Sequence, residues 1–310
     1  MDWRPSATLE TLRERARIYQ KIRAFFATRD FLEVDTPLLS ATTNTDANIA
    51  SIEASNLGQS LFLQTSPEFA MKRLLAAGSG SIYQICHAFR AGEHGGRHRP
   101  EFTLLEWYRT GFDYQRLMDE MEQLIDCLSD QENHFQRVRY RDLLLDQTGI
   151  DIACIELPEL RIRCEGLLRD TDASRFDFDQ CLDLLIALVV APAMQGYVFV
   201  YDYPLSQAAL ARVSKRDPEV AERFELFCDG LELANGFSEL TDAKLQGERF
   251  QADNRQREDK ELPRYPIDQH LLAALENGLP ECAGVALGLD RLLMVLLGLD
   301  SIDQVMSFSD

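Results

Sequence analysis

The chain has 310 residues, 45% of them hydrophobic, and a net charge of −19 from 32 basic and 51 acidic side chains. That allows one large domain or two ordinary ones with a sizeable core, and so acidic a surface excludes bulk nucleic-acid binding outside a local basic patch. Seven cysteines, an odd number with no C-x-x-C pair, exclude a disulfide framework and speak against a zinc site; they read as scattered buried thiols of a reduced, cytoplasmic protein.

The opening MDWRPSATLE has neither the cationic start nor the apolar segment of a secretory signal, so none is expected. Residues 9–26 carry Leu9, Leu12, Ala16, Tyr19, Ile22 and Phe26 at helical spacing, which predicts an amphipathic helix. FLEVDTPLL follows as a strand-like run ending at Pro37. LFLQTSPEFAMKRLLAAG reads as strand, turn and short helix, with Gly78 as its stop. SIYQICHAFR alternates as a strand, and EFTLLEWYR resumes as another. YQRLMDEMEQLIDCL places Leu117, Met121, Leu124, Ile125 and Leu128 on one helical face. Residues 130–200 are mixed, with helices expected around 138–148 and 179–190. YVFVYDYP is a strand, and ERFELFCDGLELANGF reads as a hairpin turning at Asp229-Gly230. A Gly-rich segment, AGVALGLDR, leads into the helix LLMVLLG, whose apolar run is too short to span a bilayer. Strands joined by hairpin turns, with helices between some of them, predict an α+β fold with a mostly antiparallel sheet flanked by helices.

Three constellations can carry chemistry. The first surrounds RAGEHGGRHRPEF, a glycine-rich, locally cationic loop between two strands. Phe102, Leu104, Glu106 and Tyr108 share one face of the second strand, because strand side chains alternate. With Arg90 ending the first strand, this set can hold a phosphate, a nucleobase and an amine; it also suits an ordinary amphipathic hairpin with a charged solvent face. The second is the hairpin. A two-residue turn pairs Cys228 with Leu231 and Phe227 with Glu232, which puts Glu225 one diagonal step from Glu232. Like charges so placed repel unless a cation sits between them. Two such carboxylates suit Mg²⁺ carrying a nucleotide phosphate, or belong to a solvated acidic face. In the third, Gly284 and Gly288 let backbone approach a ligand, and Arg291 at a helix start can reach a phosphate or form a salt bridge. No P-loop or G-x-G-x-x-G occurs, so a Walker-type or Rossmann nucleotide site has no support.

Taken together these pieces resemble the class II aminoacyl-tRNA synthetases. FLEVDTPLL resembles their motif 1, FRAGEHGGRHRPEFTLLEWY motif 2 and GVALGLDR motif 3. TSPEFAMKRLL, PEFTLLEWY and ELANGFSELTDA point to the lysyl-tRNA synthetases, across roughly residues 9–310. A bacterial lysyl-tRNA synthetase begins with an anticodon-binding domain. Here the catalytic core starts almost at residue 1, so residues 1–310 are expected to form a single synthetase-like catalytic domain, insertion-like over about 130–200 and without an anticodon-binding domain. A core of this kind is similar to the elongation factor P–(R)-β-lysine ligase family, which EWYR, FSELTDA and YPIDQHLLAALENGLPECAGVALGLDR fit.

The resemblance implies roles. Arg90 and Arg291 would grip the ATP phosphates and carry the catalysis. Glu93, Arg99, Phe102, Glu232, Leu233 and Gly288 would complete the ATP site, with Phe102 stacked on adenine. Glu225 and Glu232 would hold Mg²⁺. Ser66, Glu68, Glu106, Tyr108, Asn235 and Glu239 would line a lysine-like pocket, Glu106 and Glu239 taking the ammonium groups. Ala286 stands where lysyl-tRNA synthetases usually carry glycine, and its methyl would reshape the pocket floor. Two positions depart from the family: Glu93 lies one place later than the usual R-x-E glutamate, and Arg99 replaces an asparagine. The loop would close over ATP, with Arg97, His98 and Arg99 meeting phosphate or an acidic partner.

The implied reaction activates (R)-β-lysine or lysine as an adenylate and transfers it to a lysine of elongation factor P. No stable tRNA binding and no membrane partner are expected. The motif 1 resemblance implies a homodimer through residues around 9–40. Two alternatives stand beside this reading: a non-catalytic regulatory paralogue that binds an amino acid, and a truncated lysyl-tRNA synthetase-like enzyme with another acceptor.

Overall fold

The computed structural model describes residues 3–168 and 171–309. The chain divides into two compact units, Met1–Gln131 with Glu239–Asp310, and Glu132–Ser238.

In the first unit, the helix Leu9–Ala27 begins where the Thr8 side chain accepts the Thr11 N–H at 3.1 Å. It buries Ile18, Ile22, Phe25 and Phe26, whereas Leu9 and Ala16 of the expected stripe are exposed. Of the expected stripe, Ile22 and Phe26 are fully buried and Leu12 and Tyr19 half-buried, because the aromatic cluster lies beneath the last two turns. There the Phe26 ring stacks on Tyr83 at 4.4 Å and meets Trp107 edge-on at 5.6 Å. FLEVDTPLL is not one strand. Leu32–Glu33 pairs parallel with Ile82–Phe89, and Leu39–Ser40 pairs antiparallel with Gln59–Leu63 in a separate sheet that also holds Glu53–Asn56. Pro37 between them has no N–H for a ladder.

Four strands of this unit lie in the order Leu32–Glu33, Ile82–Phe89, Glu101–Thr110, Cys282–Gly288, antiparallel except at the first pair. Cys282–Gly288 corrects the expectation of a Gly-rich lead-in, since it is a full strand. Its glycines mark close approach rather than a loop. Pairing sets Gly284 opposite Tyr108, Ala286 opposite Glu106 and Gly288 opposite Leu104. The helix Tyr114–Ser129, capped by Asp113, buries Leu117, Met121, Leu124, Ile125 and Leu128 as expected. Two further helices, Ala243–Asp259 and Gln269–Gly278, start on Asp242 and Asp268 and were not anticipated.

The second unit contains Phe135–Arg139, parallel to Tyr197–Pro204, which pairs antiparallel with Val220–Cys228 and so leads to the hairpin strand Leu231–Ser238. Asp229 and Gly230 have φ of +47° and +75°, the left-handed pair that a two-residue hairpin turn requires. The expected helix at 138–148 is Tyr140–Thr148, preceded by a strand. The one at 179–190 is Phe178–Leu185 with a continuing wider turn over Ile186–Val190. Leu157–Leu167 is a further helix. Leu144, Leu160, Cys164, Leu182 and Leu185 form one core cluster with Val198, Val200, Tyr203 and Phe227, so residues 132–200 supply much of this unit's core. Positions 169 and 170 of the insertion-like region lie outside the described residues.

Five cysteines are buried, but Cys127 and Cys154 are exposed, which narrows the expectation of buried thiols. Among the described residues no helix is long and apolar enough to cross a membrane.

Candidate active site

Arg90 follows directly on the strand Ile82–Phe89, where its N–H donates to Pro100 O at 2.8 Å and closes the neck of the loop. Its guanidinium lies 5.1 Å over the Phe102 ring, and its Nε is buried without a hydrogen-bond partner. A half-buried cation on an aromatic plate, with a donor left over, is prepared for an anion. Glu93 reaches back to Arg90 Nη1 at 3.7 Å. The loop is held from its other side: Ile302 N–H donates to Gly96 O at 2.8 Å, Arg291 Nε donates to Arg97 O at 3.3 Å, and Arg99 pairs with Asp303. Arg90, Glu93, Phe102, Arg99 and Arg291 are thus joined through one loop. Gly288 caps the helix Leu289–Leu297 that carries Arg291.

That helix is anchored by residues outside the predicted site. Asp290 accepts from Arg15 Nη1 at 2.5 Å and from the Thr103 N–H at 2.6 Å, and Arg15 Nη2 also donates to Thr103 Oγ at 2.8 Å. Arg15 sits on the first helix, far away in sequence, and no local pattern singles it out.

A second cluster lies in the same unit. Glu106 is 2% exposed, and both its oxygens are capped: Ser66 donates to Oε2 and Tyr108 to Oε1, each at 2.7 Å. Ser66 also accepts the Glu68 N–H at 3.1 Å, at the first residue of the helix Glu68–Ala76. Burial and the charge of Glu68 push the Glu106 carboxyl up to about 7, against the two hydroxyls. Glu239, whose N–H donates to Cys282 O at 3.0 Å, is buried nearby, and its carboxyl is raised by burial and by Glu68 and Glu106 despite an ion pair with Lys72 at 2.6 Å. Lys72 also meets Glu68 at 2.5 Å. A Cβ at Gly284 would overlap both the Tyr108 ring and Glu239 Oε1. Ala286, opposite Glu106, is half-buried on the same face. Ser66, Glu68, Glu106, Tyr108, Glu239 and Ala286 therefore form a predicted group that the fold does assemble. Lys72 is the member missed; its sequence signal is the i,i+4 spacing from Glu68.

The second unit carries the other carboxylates. The hairpin pairs Leu231 with Cys228 and Glu232 with Phe227, as expected from the turn. A bulge then leaves Leu233 unpaired and buried, so Asn235 stands opposite Glu225. Burial raises the Glu225 carboxyl, with Glu232 adding to the rise and Arg223 opposing it. Arg223 Nη2 holds Glu225 Oε1 at 2.6 Å, and its Nε donates to Asn235 Oδ1 at 3.1 Å. Sequence reasoning missed Arg223, although R-x-E on one strand face signals it. Among the described residues no group of three or more His, Cys, Asp or Glu gathers as for a protein-only metal site. Two mutually repelling carboxylates do fit a divalent ion that takes its other ligands from phosphate and water, as Mg²⁺ prefers.

A family model described as tRNA synthetases class II (D, K and N) matches residues 1–310, and the chain belongs to that family. The elongation factor P–(R)-β-lysine ligase of Vibrio campbellii is 48% identical over 315 residues, which cover 99% of this chain and 97% of the relative. The ligase of the same name from Vibrio cholerae is 47% identical over 316 residues, with 99% and 97% covered. That of Pectobacterium carotovorum is 46% identical over 320 residues, again with 99% and 97% covered. Within the class II synthetases, the chain belongs with these ligases.

Proposed function

We propose that this protein activates (R)-β-lysine, or lysine, with ATP and transfers the aminoacyl group to a lysine ε-amine of elongation factor P. The observation that carries the reading is the cluster of Glu68, Glu106 and Glu239, three carboxylates with Lys72 as their one resident ammonium among the described residues, which suits a cationic amino acid. The relatives 46–48% identical over nearly the whole chain bear the name of elongation factor P–(R)-β-lysine ligase, which supplies the acceptor.

In this reading the substrate carboxylate attacks the α-phosphorus of ATP and expels pyrophosphate. The amine of the acceptor then attacks the acyl carbon and expels AMP. Arg90 and Arg291 grip the phosphates and offset the charge that builds on the α-phosphoryl oxygens. Phe102 stacks on adenine; Glu93, Arg99, Leu233 and Gly288 line the nucleotide. Glu106 and Glu239 bind the ammonium groups, with Ser66, Glu68, Tyr108 and Asn235 around them and Ala286 shaping the floor. The enzyme aligns the reactants and supplies no side-chain nucleophile. Glu225 and Glu232 would hold Mg²⁺, which when bound neutralises phosphate charge. Residues 1–310 act as one catalytic domain of a cytoplasmic homodimer that binds no tRNA stably.

The test is ATP–pyrophosphate exchange with (R)-β-lysine, lysine or no amino acid, followed by label transfer to elongation factor P and, separately, tRNA. Exchange stimulated most by β-lysine, with label on the protein and not on tRNA, is expected. No exchange with either amino acid would overturn the proposal. Arg90→Ala should lower the exchange rate about 100- to 1,000-fold, the loss seen when one charge-stabilising donor is removed.

A further inference from the structure

The amine pocket holds one charged side chain that the proposed chemistry does not use. Lys72 is 2% exposed, and its Nζ lies 2.5 Å from Glu68 Oε1 and 2.6 Å from Glu239 Oε2. Glu68 and Lys72 come from one helix, while Glu239 comes from a distant part of the chain, so the ammonium ties two segments together. The second oxygen of Glu239, Oε1, is buried, has no hydrogen-bond partner and lies over the space that Gly284 leaves open. Glu106 meets only the neutral hydroxyls of Ser66 and Tyr108. The other titratable groups facing this cluster stay neutral near pH 7: burial and Glu106 push the Cys86 thiol up to about 12, and burial holds the Tyr108 hydroxyl well above its ordinary value.

Three carboxylates around one resident ammonium leave room for two more positive charges. We infer that Lys72 is a positioning residue, a resident counter-ion that holds Glu68 and Glu239 in place and sets the pocket to take up the two ammonium groups of a diamino acid in exchange for protons. The inference rests on the amino-acid-activating reading above.

The electrostatics agree with the geometry. With no substrate ammonium present, burial and mutual repulsion raise Glu106 to about 7 and raise Glu239 as well, while the two carboxylates beside Lys72 keep it protonated. The pocket without substrate thus retains carboxyl protons near neutrality, and an entering dication displaces them. Substituting Lys72→Met keeps much of the side-chain volume and removes the charge. Nothing then offsets the repulsion between Glu68 and Glu239, so the pocket holds its protons to higher pH and binds amines poorly until that pH is reached.

Two measurements decide the matter. The first is calorimetric titration of the wild-type protein with (R)-β-lysine and with lysine at pH 7, in two buffers of different ionisation enthalpy. A net release of at least about half a proton per site is expected. The second is the pH profile of the amino-acid KM in ATP–pyrophosphate exchange between pH 6.5 and 8.5. Lys72→Met should move the profile up by about one pH unit, a KM about 10-fold higher at pH 7 that recovers in alkali. Lys72→Arg, which keeps the charge, should move the profile less than Lys72→Met does, and the ATP KM should not change in either variant. Proton-neutral binding by the wild type would overturn the inference, as would a Lys72→Met loss that is equal at every pH. If Lys72→Met does not fold, the pH profile of Lys72→Gln is read in its place, with the same shift expected. Failure of both amino acids to bind would overturn the activation reading together with this one, whereas binding without proton release overturns only this one.

Discussion

Each unit holds a carboxylate largely out of solvent, half-buried Glu225 in one and fully buried Glu239 in the other, and each neutralises it in a different way. In the unit Glu132–Ser238, Glu225 is met by Arg223, two residues earlier on the same strand face. In the other unit, Glu239 is met by Lys72 on a separate helix, and the same ammonium also serves Glu68. Arginine presents a planar fork and here divides its donors among Glu225, Asn235 and the Gln207 carbonyl. Lysine is a compact point charge and here sits between two carboxylates. The first arrangement is local and leaves Glu225 facing Glu232, as suits a divalent ion. The second is non-local and leaves Glu239 with a free oxygen, as suits an ammonium. Buried ion pairs gain little net stability, so neither pair is needed to explain why its unit folds.

The largest effects should come from removing one charge in each unit. Glu239→Gln is expected to raise the amino-acid KM about 100-fold, near the upper range for one charge-assisted hydrogen bond, and to leave the ATP KM unchanged. Glu225→Gln should do the reverse: the Mg²⁺ concentration needed for half-maximal exchange rises, and the amino-acid KM stays. Steady-state exchange with each ligand varied in turn checks both. A crossed result, with Glu225→Gln acting on amino-acid affinity, would break the distinction drawn above.

Two glycines sharpen it. Gly284→Ala would press a methyl into Tyr108 and Glu239, and Gly230→Ala, at φ +75°, would press one into the Ala191 backbone. Each should cost about 1–3 kcal/mol of stability, the usual range for overpacking. Only Gly284→Ala should also weaken amine binding beyond that loss. Chemical denaturation together with amino-acid titration separates the two outcomes.

The smallest effect is a dependence of stability on pH. The Glu106 carboxyl titrates near 7 in the folded protein against an ordinary value of 4.5. A carboxyl raised on folding contributes stability that is full below 4.5 and lost as pH rises through about 7. Without ligand, Tm should therefore fall by on the order of a few degrees between pH 6 and 8. Glu106→Gln should flatten that slope, and lysine should raise Tm more at pH 8 than at pH 6. A Tm that rises over this interval with Glu106→Gln unchanged would contradict the assignment of a protonated pocket.

Much of the second unit's hairpin was legible in the sequence. Asp229-Gly230 between alternating apolar residues dictated the turn and the first two pairs, because turn geometry sets hairpin register. The bulge at Leu233 was not legible, since a one-residue slip is decided by what the strand packs on. In the first unit, the alternation of EFTLLEWYR placed Glu106 and Tyr108 on one face. Cys282–Gly288 was hidden because glycine signals turns locally, whereas here the missing side chains make room for Tyr108 and Glu239.

By itself, then, the sequence determined the periodic elements, the hairpin turn, the family motifs and the kinds of side chain available for phosphate and amine. Those depend on spacing of a few residues, over which backbone geometry leaves little choice. Only the tertiary structure decided that Lys72 stands between Glu68 and Glu239, that Arg15 holds Asp290 beside Arg291, and that Gly284 must remain glycine. Ion-pair partners and close contacts between distant segments depend on how whole elements pack, and no local pattern encodes that distance.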